Sequence, residues 1–123
     1  MSVSSGHNQF KKVEAIVRKE RFPDIDELLK KIGISGLTFF SVEGRGRAKG
    51  SEMISDRGTK TYRREYSERV QLEIIAKESD VPSVVDAIMK GAKTGSVGDG
   101  KIFVRSIEQV YDISTGEAGE RAV

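Results

Sequence analysis

From Lys11 to Lys19 the chain reads KKVEAIVRK, with apolar side chains at every second position, Val13, Ala15 and Val17, and Ile16 alone among charged neighbours. That period predicts a strand with one buried face. In PDIDELLKKIG the period changes: Ile25, Leu28, Leu29 and Ile32 fall at helical spacing, Pro23 and Asp24 stand at the start, and Gly33 follows the last turn. A short amphipathic helix is expected there. LTFFSVEG has the β-branched and aromatic content of a second strand, and RVQLEIIAKE alternates Val70, Leu72 and Ile74 as a third. Asp80 is placed to cap a second helix in which Val81, Val84, Val85, Ile88 and Met89 form an apolar stripe, and KIFVRSIEQVYDI predicts a fourth strand.

Between the second and third strands, residues 44–68 break the pattern. GRGRAKGSEMISDRGTKTYRREYSE holds five Arg, two Lys and four Gly with few apolar residues, so it cannot build a core. A connection this long inside a small domain predicts a functional loop or a solvated hairpin extension. The order strand, helix, strand, long loop, strand, helix, strand predicts an α+β fold, a ferredoxin-like βαββαβ sandwich with both helices on one sheet face. The other face then needs a cover, which partner subunits can supply.

Composition narrows the picture further. A chain of 123 residues fits one domain, here over 10–123 after a polar tail at 1–9. The 21 Lys and Arg nearly balance 19 Asp and Glu, so electrostatics demand neither a nucleic acid nor an acidic membrane. Without cysteine there is no disulfide, thiolate nucleophile or zinc-thiolate site. No apolar run approaches the roughly 20 residues of a membrane span, and MSVSSGHNQ lacks the apolar centre of a signal peptide, so a soluble cytoplasmic protein is expected. The one histidine, His7, lies in the tail with no paired nucleophile and base, which argues against catalysis.

The stretch TGSVGDGKIF carries the candidate chemistry. Glycines let backbone N–H groups approach a guest closely, and such a concavity with a lysine beside it suits an anion. It is not a P-loop, because the G-x-x-x-x-G-K-[ST] spacing is absent, and a tight helix-to-strand turn accounts for it equally well.

KKVEAIVRK, GISGLTFFSVEGRGRAKG and TGSVGDGKIFV with the later TGE match, in order and spacing, the PII signal-transduction proteins, and across residues 10 to 117 the sequence resembles that family, including its GlnK branch. The resemblance implies a homotrimer of ferredoxin-like subunits that binds ATP or ADP, and in many members 2-oxoglutarate, in clefts between neighbours. It implies a sensor and not an enzyme. Residues 44–68 are then the T-loop, 94–101 the B-loop and 112–123 the C-terminal segment. Gly98, Asp99, Gly100 and Lys101 would embrace nucleotide phosphates, Gly44, Gly46, Arg47 and Lys49 sit at the T-loop base, Ile16 and Thr38 lie near base and ribose, and Ile75 borders the adenine. Arg69 stands where the family has a lysine that pairs with a 2-oxoglutarate carboxylate, keeping the charge with a different reach. The implied targets are an ammonium transporter or glutamine synthetase, with the membrane reached only through a channel partner. Arg57 matches the arginine that plugs such channels, and Tyr62 a tyrosine that is uridylylated in some relatives.

The sequence departs from the family pattern at two places. Ala48 replaces the glutamine that helps ligate a magnesium ion bridging ATP and 2-oxoglutarate. Asp112 and Ser114 replace two arginines that clamp the terminal phosphates, and each lost charge-assisted hydrogen bond is worth about 1.5–3 kcal/mol. Two readings stay open: a weakened ATP or ADP site, or a direct dicarboxylate site in which Arg47, Lys49, Arg69 and Lys101 bind 2-oxoglutarate without nucleotide or magnesium. The rival from another class is an RNA-binding ferredoxin-like domain, suggested by Arg63, Arg64, Phe39, Phe40 and Phe103; no RNP-type aromatic pattern supports it.

Overall fold

The computed structural model describes residues 9–46, 52–54, 61–63 and 66–123, with the side chains of 52–54, 61–63, 120 and 121 excepted. Strand β1 (Phe10–Arg18) leads through a 3-10 turn into helix α1 (Phe22–Lys31), followed by β2 (Thr38–Gly44), the short strands β3 (Glu52–Ile54) and β4 (Thr61–Arg63), then β5 (Ser67–Lys77), a second 3-10 turn, α2 (Val81–Ala92) and β6 (Gly100–Ile107). The main sheet has the order β2-β5-β1-β6, and its three pairings are antiparallel. This is the expected α+β ferredoxin-like sandwich. β3 and β4 pair with each other, Met53 opposite Tyr62, so the long segment contains a hairpin extension.

Alternation along β1 and β5 sorts the two sheet faces. Val13, Ala15 and Val17 lie opposite Ile74, Leu72 and Val70, and all six are buried beneath Ile25 and Leu29 of α1 and Val84 and Ile88 of α2. Ile16, on the other face, is only half-buried. Where α1 ends, the N–H of Gly33, at φ +88°, donates to Lys30 O, and that of Ile34 donates to Leu29 O. This left-handed closure requires glycine and turns the chain back toward β2. Phe39, on the helix side of the edge strand β2, rests against Phe22 with ring centroids 4.5 Å apart.

Three expectations need correction. The fourth strand does not run to residue 113: β6 stops at Ile107, which pairs with Phe10, the first residue of β1, so beyond it there is no strand left to pair with. Residues 110–119 instead close a tight turn, bridged between Tyr111 and Ala118. Asp80 does not cap α2 with its side chain. Its backbone is already in the right-handed helical region, in a 3-10 turn, and Pro82 in the first helical turn helps set the start. The first strand begins one residue earlier, at Phe10, which is buried.

The two helices meet where α2 has no side chain. A Cβ on Gly91 would lie 2.7 Å from Ile25 Cγ1 and 2.9 Å from Ile25 Cα, and the carbonyl of Gly91 accepts a 2.8 Å hydrogen bond from Arg21 Nε. Because one clashing atom is backbone, a rotamer change cannot relieve it. Gly91→Ala is expected to destabilise the protein by about 1–3 kcal/mol, the usual cost of overpacking, and to lower the midpoint of a thermal unfolding scan by several degrees. An unchanged midpoint would show that the helices are free to part.

Candidate functional site

The Gly-rich turn between α2 and β6 is organised around one carboxylate. Asp99 accepts hydrogen bonds from Thr94 N at 2.7 Å and Gly95 N at 3.0 Å, and from the Thr94 hydroxyl. Arg18, the last residue of β1, fastens this turn to the sheet: its Nε donates to Asp99 Oδ1 at 3.3 Å and its Nη2 to Val97 O at 3.1 Å. Hydrogen bonds from Thr94, first through its hydroxyl and then through its backbone, hold the Asp99 carboxyl far below the ordinary carboxylate range. Partial desolvation opposes this, and Gly95 N and Arg18 add to it. Asp99 is therefore an internal tie, with its carboxylate already engaged.

The turn needs glycine at its exit for a reason internal to the chain. Gly100 has φ +117°, and a Cβ there would overlap the carbonyl oxygen of Ile16 and crowd Val17 Cα. Gly98 also lies in the left-handed region, at φ +101°. The close approach made by Gly100 is thus to β1 of its own protomer.

Strand register arranges the other candidate residues on the open face of the sheet. One row runs Phe40, Gln71, Ile16, Lys101 across all four strands, and the adjacent row holds Val42, Arg69 and Arg18. Lys101 and Arg69 therefore flank Ile16 two strand spacings apart, on the order of 10 Å. Neither has an ion-pair or hydrogen-bond partner among the described residues, whereas neighbouring cations do: Arg18 pairs with Asp99, Lys19 with Glu68, Lys12 with Glu73 and Arg105 with Glu14. Thr38 lies one row further on, opposite Glu73, and Ile75 lies opposite Lys12, four residues along β1 from Ile16, or about 14 Å. Within one protomer the structure thus gathers Ile16, Arg69, Lys101 and the turn, and leaves Ile75 at a distance.

Gly44 ends β2 opposite Ser67, with Gly46 just beyond, and the Arg45 guanidinium stands 5.8 Å from the centroid of the Tyr66 ring, closing the root of the long segment. Arg47, Ala48, Lys49 and Arg57 lie outside the described residues, and Tyr62 is described only as backbone, in β4. Asp112 shapes the turn at 110–119: its Oδ1 accepts from Ser114 N at 2.8 Å and Thr115 N at 3.1 Å. Sequence reasoning missed Arg18. Its signal was the alternation itself, which puts Arg18 on the face of Ile16 at the end of β1.

The sequence matches the family described as Nitrogen regulatory protein P-II over residues 10–117. The nitrogen regulatory protein P-II homolog of Arabidopsis thaliana is 42% identical over 115 residues, 94% of this chain, which spans 58% of that relative's length. The crystal structure of Arabidopsis thaliana PII bound to citrate superposes with a TM-score of 0.77 at 38% identity, covering 97% of this chain and 96% of the other. The ATP complex of Bacillus subtilis GlnK does so with a TM-score of 0.76 at 34% identity, covering 95% and 100% respectively.

Asp99 is expected to stay ionised as the pH falls through the range where an ordinary aspartate titrates, followed through its carboxyl carbon by NMR. Because its folded pKa is depressed, its contribution to stability is present above the unfolded value and is withdrawn only as the pH falls through the folded one. Thr94→Ala removes the largest cause and should move the titration up toward the usual value. A wild-type Asp99 that titrates with the exposed aspartates would refute the tie.

Proposed function

The chain belongs to the nitrogen regulatory protein P-II family, whose members are regulatory signal proteins and not enzymes, and from that premise we propose that it senses 2-oxoglutarate on the open sheet face. The observation that carries this reading is the pair of cations without partners among the described residues, Arg69 and Lys101, on the strands either side of β1 and Ile16, beside a turn already closed by its own aspartate. A dicarboxylate supplies the two negative charges that this pair lacks. The citrate bound to the Arabidopsis protein, itself a carboxylate anion, supports an acid ligand of this class.

Adenine nucleotide is the second ligand of the proposal, supported by the ATP complex of the Bacillus subtilis relative. The backbone of Gly98, Asp99 and Gly100 and the Lys101 side chain are its phosphate contacts, with Ile16 and Thr38 toward the base and Ile75, about 14 Å from Ile16 within one protomer, reaching it from the neighbour across the cleft. Its affinity is low, since Asp112 and Ser114 stand where the family carries arginines. The Ala48 side chain has no oxygen to replace that of the family's glutamine, so a magnesium ion bridging the two ligands would lack one of its usual protein ligands. No part of the proposal passes through a metal.

Output runs through residues 44–68, with Arg47 and Lys49 sensing the ligand at the loop base and Arg57 and Tyr62 as partner contact or modification site. The partner is an ammonium transporter or glutamine synthetase, which places the protein in the cytoplasm and at the membrane only when docked. Among the described residues no helix is long and apolar enough to cross a membrane. Assembly is a homotrimer over the open sheet face, where Phe40 and Phe103 expose 43% and 45% of their surface beside charged residues.

Light scattering should return about three chain masses, and a monomer at assay concentration would remove the intersubunit site. In calorimetric titration 2-oxoglutarate should bind without nucleotide or magnesium, ATP more weakly. Arg69→Ala should cost a charge-assisted bond of about 1.5–3 kcal/mol, roughly a 10- to 150-fold loss of 2-oxoglutarate affinity. Unchanged affinity in that variant would move the site elsewhere.

A further inference from the structure

Asp99 and Gly100 form the only Asp-Gly pair in the chain, which has no Asn-Gly. An Asp-Gly peptide carries its own chemical weakness. The Gly100 nitrogen can attack the Asp99 carboxyl carbon, closing the C–N bond of a five-membered succinimide while a hydroxyl leaves that carbon as water. Water then adds to one of the two ring carbonyls. Opening on one side restores aspartate, and opening on the other leaves isoaspartate, in which the main chain runs through the former side chain and is one methylene longer. One water is lost and one regained, so the step is a net isomerisation. Glycine favours it because no side chain crowds the attacking nitrogen.

The fold obliges the chain to keep both members of the pair. Gly100 sits at φ +117°, where a Cβ would overlap the Ile16 carbonyl oxygen, so the residue after Asp99 has to be glycine. Asp99 in turn closes the loop through Thr94 and Gly95. Substitution cannot remove the weakness without losing the turn, and protection has to come from geometry.

We infer that Asp99–Gly100 is a latent site of isoaspartate formation, guarded by Thr94 and Arg18, which pin the Asp99 carboxylate so that its carbon cannot swing onto the Gly100 nitrogen. Oδ1 accepts from the Thr94 hydroxyl and from Arg18 Nε at 3.3 Å, and Oδ2 accepts from Thr94 N at 2.7 Å and Gly95 N at 3.0 Å. Turning the carboxyl toward Gly100 breaks these bonds together, on a side chain only 22% exposed and so poorly compensated by water. The same donors, Thr94 first, hold the group ionised far below the ordinary carboxylate range. An ionised carboxylate is the poorer electrophile, because it has no hydroxyl to release as water. Isomerisation would insert its extra methylene just before the Val17 and Gly100 pair that starts the β1–β6 ladder, and so carry Lys101 away from Ile16. The guard therefore sets the working lifetime of the turn, whichever ligand the open face binds.

The test is prolonged warm incubation of the full chain at neutral pH. Isoaspartate is counted by methyl transfer from S-adenosylmethionine with a protein-isoaspartate methyltransferase and located by mass spectrometry, and circular dichroism confirms that each variant is folded. The folded chain should form isoaspartate at residue 99 many times more slowly than the same chain unfolded in guanidinium chloride. Thr94→Ala and Arg18→Gln should each raise the folded rate several-fold and the double variant more, while Thr94→Ser, which keeps the hydroxyl, stays slow. Equal rates in the folded and unfolded chain would mean that the turn offers no protection. Folded variants no faster than the unaltered chain would assign the protection to backbone stiffness in general. Either result overturns the inference. Should Thr94→Ala fail to fold, Arg18→Gln, which acts from β1, decides by the same comparison.

Discussion

Strand β6 can pair with β1 only because residue 100 has no side chain: a Cβ there would occupy the space of the Ile16 carbonyl oxygen. That approach has three consequences. It starts the β1–β6 ladder at the pair Val17 and Gly100 and brings Lys101 beside Ile16 on the open face. It fixes the exit of the Gly-rich turn, so that Asp99 arrives within reach of Arg18. It also settles which face of β6 joins the core, since a one-residue slip in register would carry every side chain of the strand to the opposite face. The placement of the turn and of Lys101 is therefore a consequence of the fold's closure more than of the turn alone.

The open face is held in order by charge as well as by the ladder. Glu14 is only 8% exposed, although it points away from the helices. Arg105 Nη2 reaches its Oε1 at 2.7 Å, and Gln71 Nε2 stands 3.4 Å from a carboxylate oxygen of both Glu14 and Glu73. Lys12 then meets Glu73 at 3.3 Å. Desolvation would raise the Glu73 pKa, but hydrogen bonding and the charge of Lys12 outweigh it and leave the group below its usual range. Two carboxylates facing each other on adjacent strands are tolerated because an amide lies between them and each has its own cation. A buried carboxylate with its cation removed is costly, so this network constrains what can cover the face.

Within that frame, ordered and unengaged groups are cleanly separated. The carboxylates beside the site, Asp99, Glu68, Glu73 and Glu14, each have a cation, and Arg18 has its anion, whereas Arg69 and Lys101 have no partner among the described residues. The surface proposed to bind a ligand would cost little to organise, because the turn is already closed by its own hydrogen bonds. The root of the long segment is tied in the same manner, by Arg45 over Tyr66 and Lys19 to Glu68.

The order of elements was legible in the sequence because each rests on a local period. Val13, Ala15 and Val17 announce β1, Ile25 and Leu29 announce α1, and the stripe from Val84 to Ile88 announces α2. TGSVGDGK likewise marked a turn suited to an anion, and its match to the P-II pattern gave the family. The partners within that turn were not legible. Asp99 is expected from the sequence to bring its backbone near phosphates; that its carboxylate also ties its own loop was not legible, nor was Arg18, whose partner stands 81 residues away. The end of β6 was misjudged for the same reason: EQVYDI has the composition of a strand, but a strand ends where its neighbour does, and β1 begins at Phe10. The burial of Glu14 depended on Arg105 lying across from it on β6. Sequence determines what is set by neighbours along the chain, periodicity and turn chemistry. Tertiary structure alone decided which charges are already paired, because that depends on the register between strands that the chain brings together from far apart.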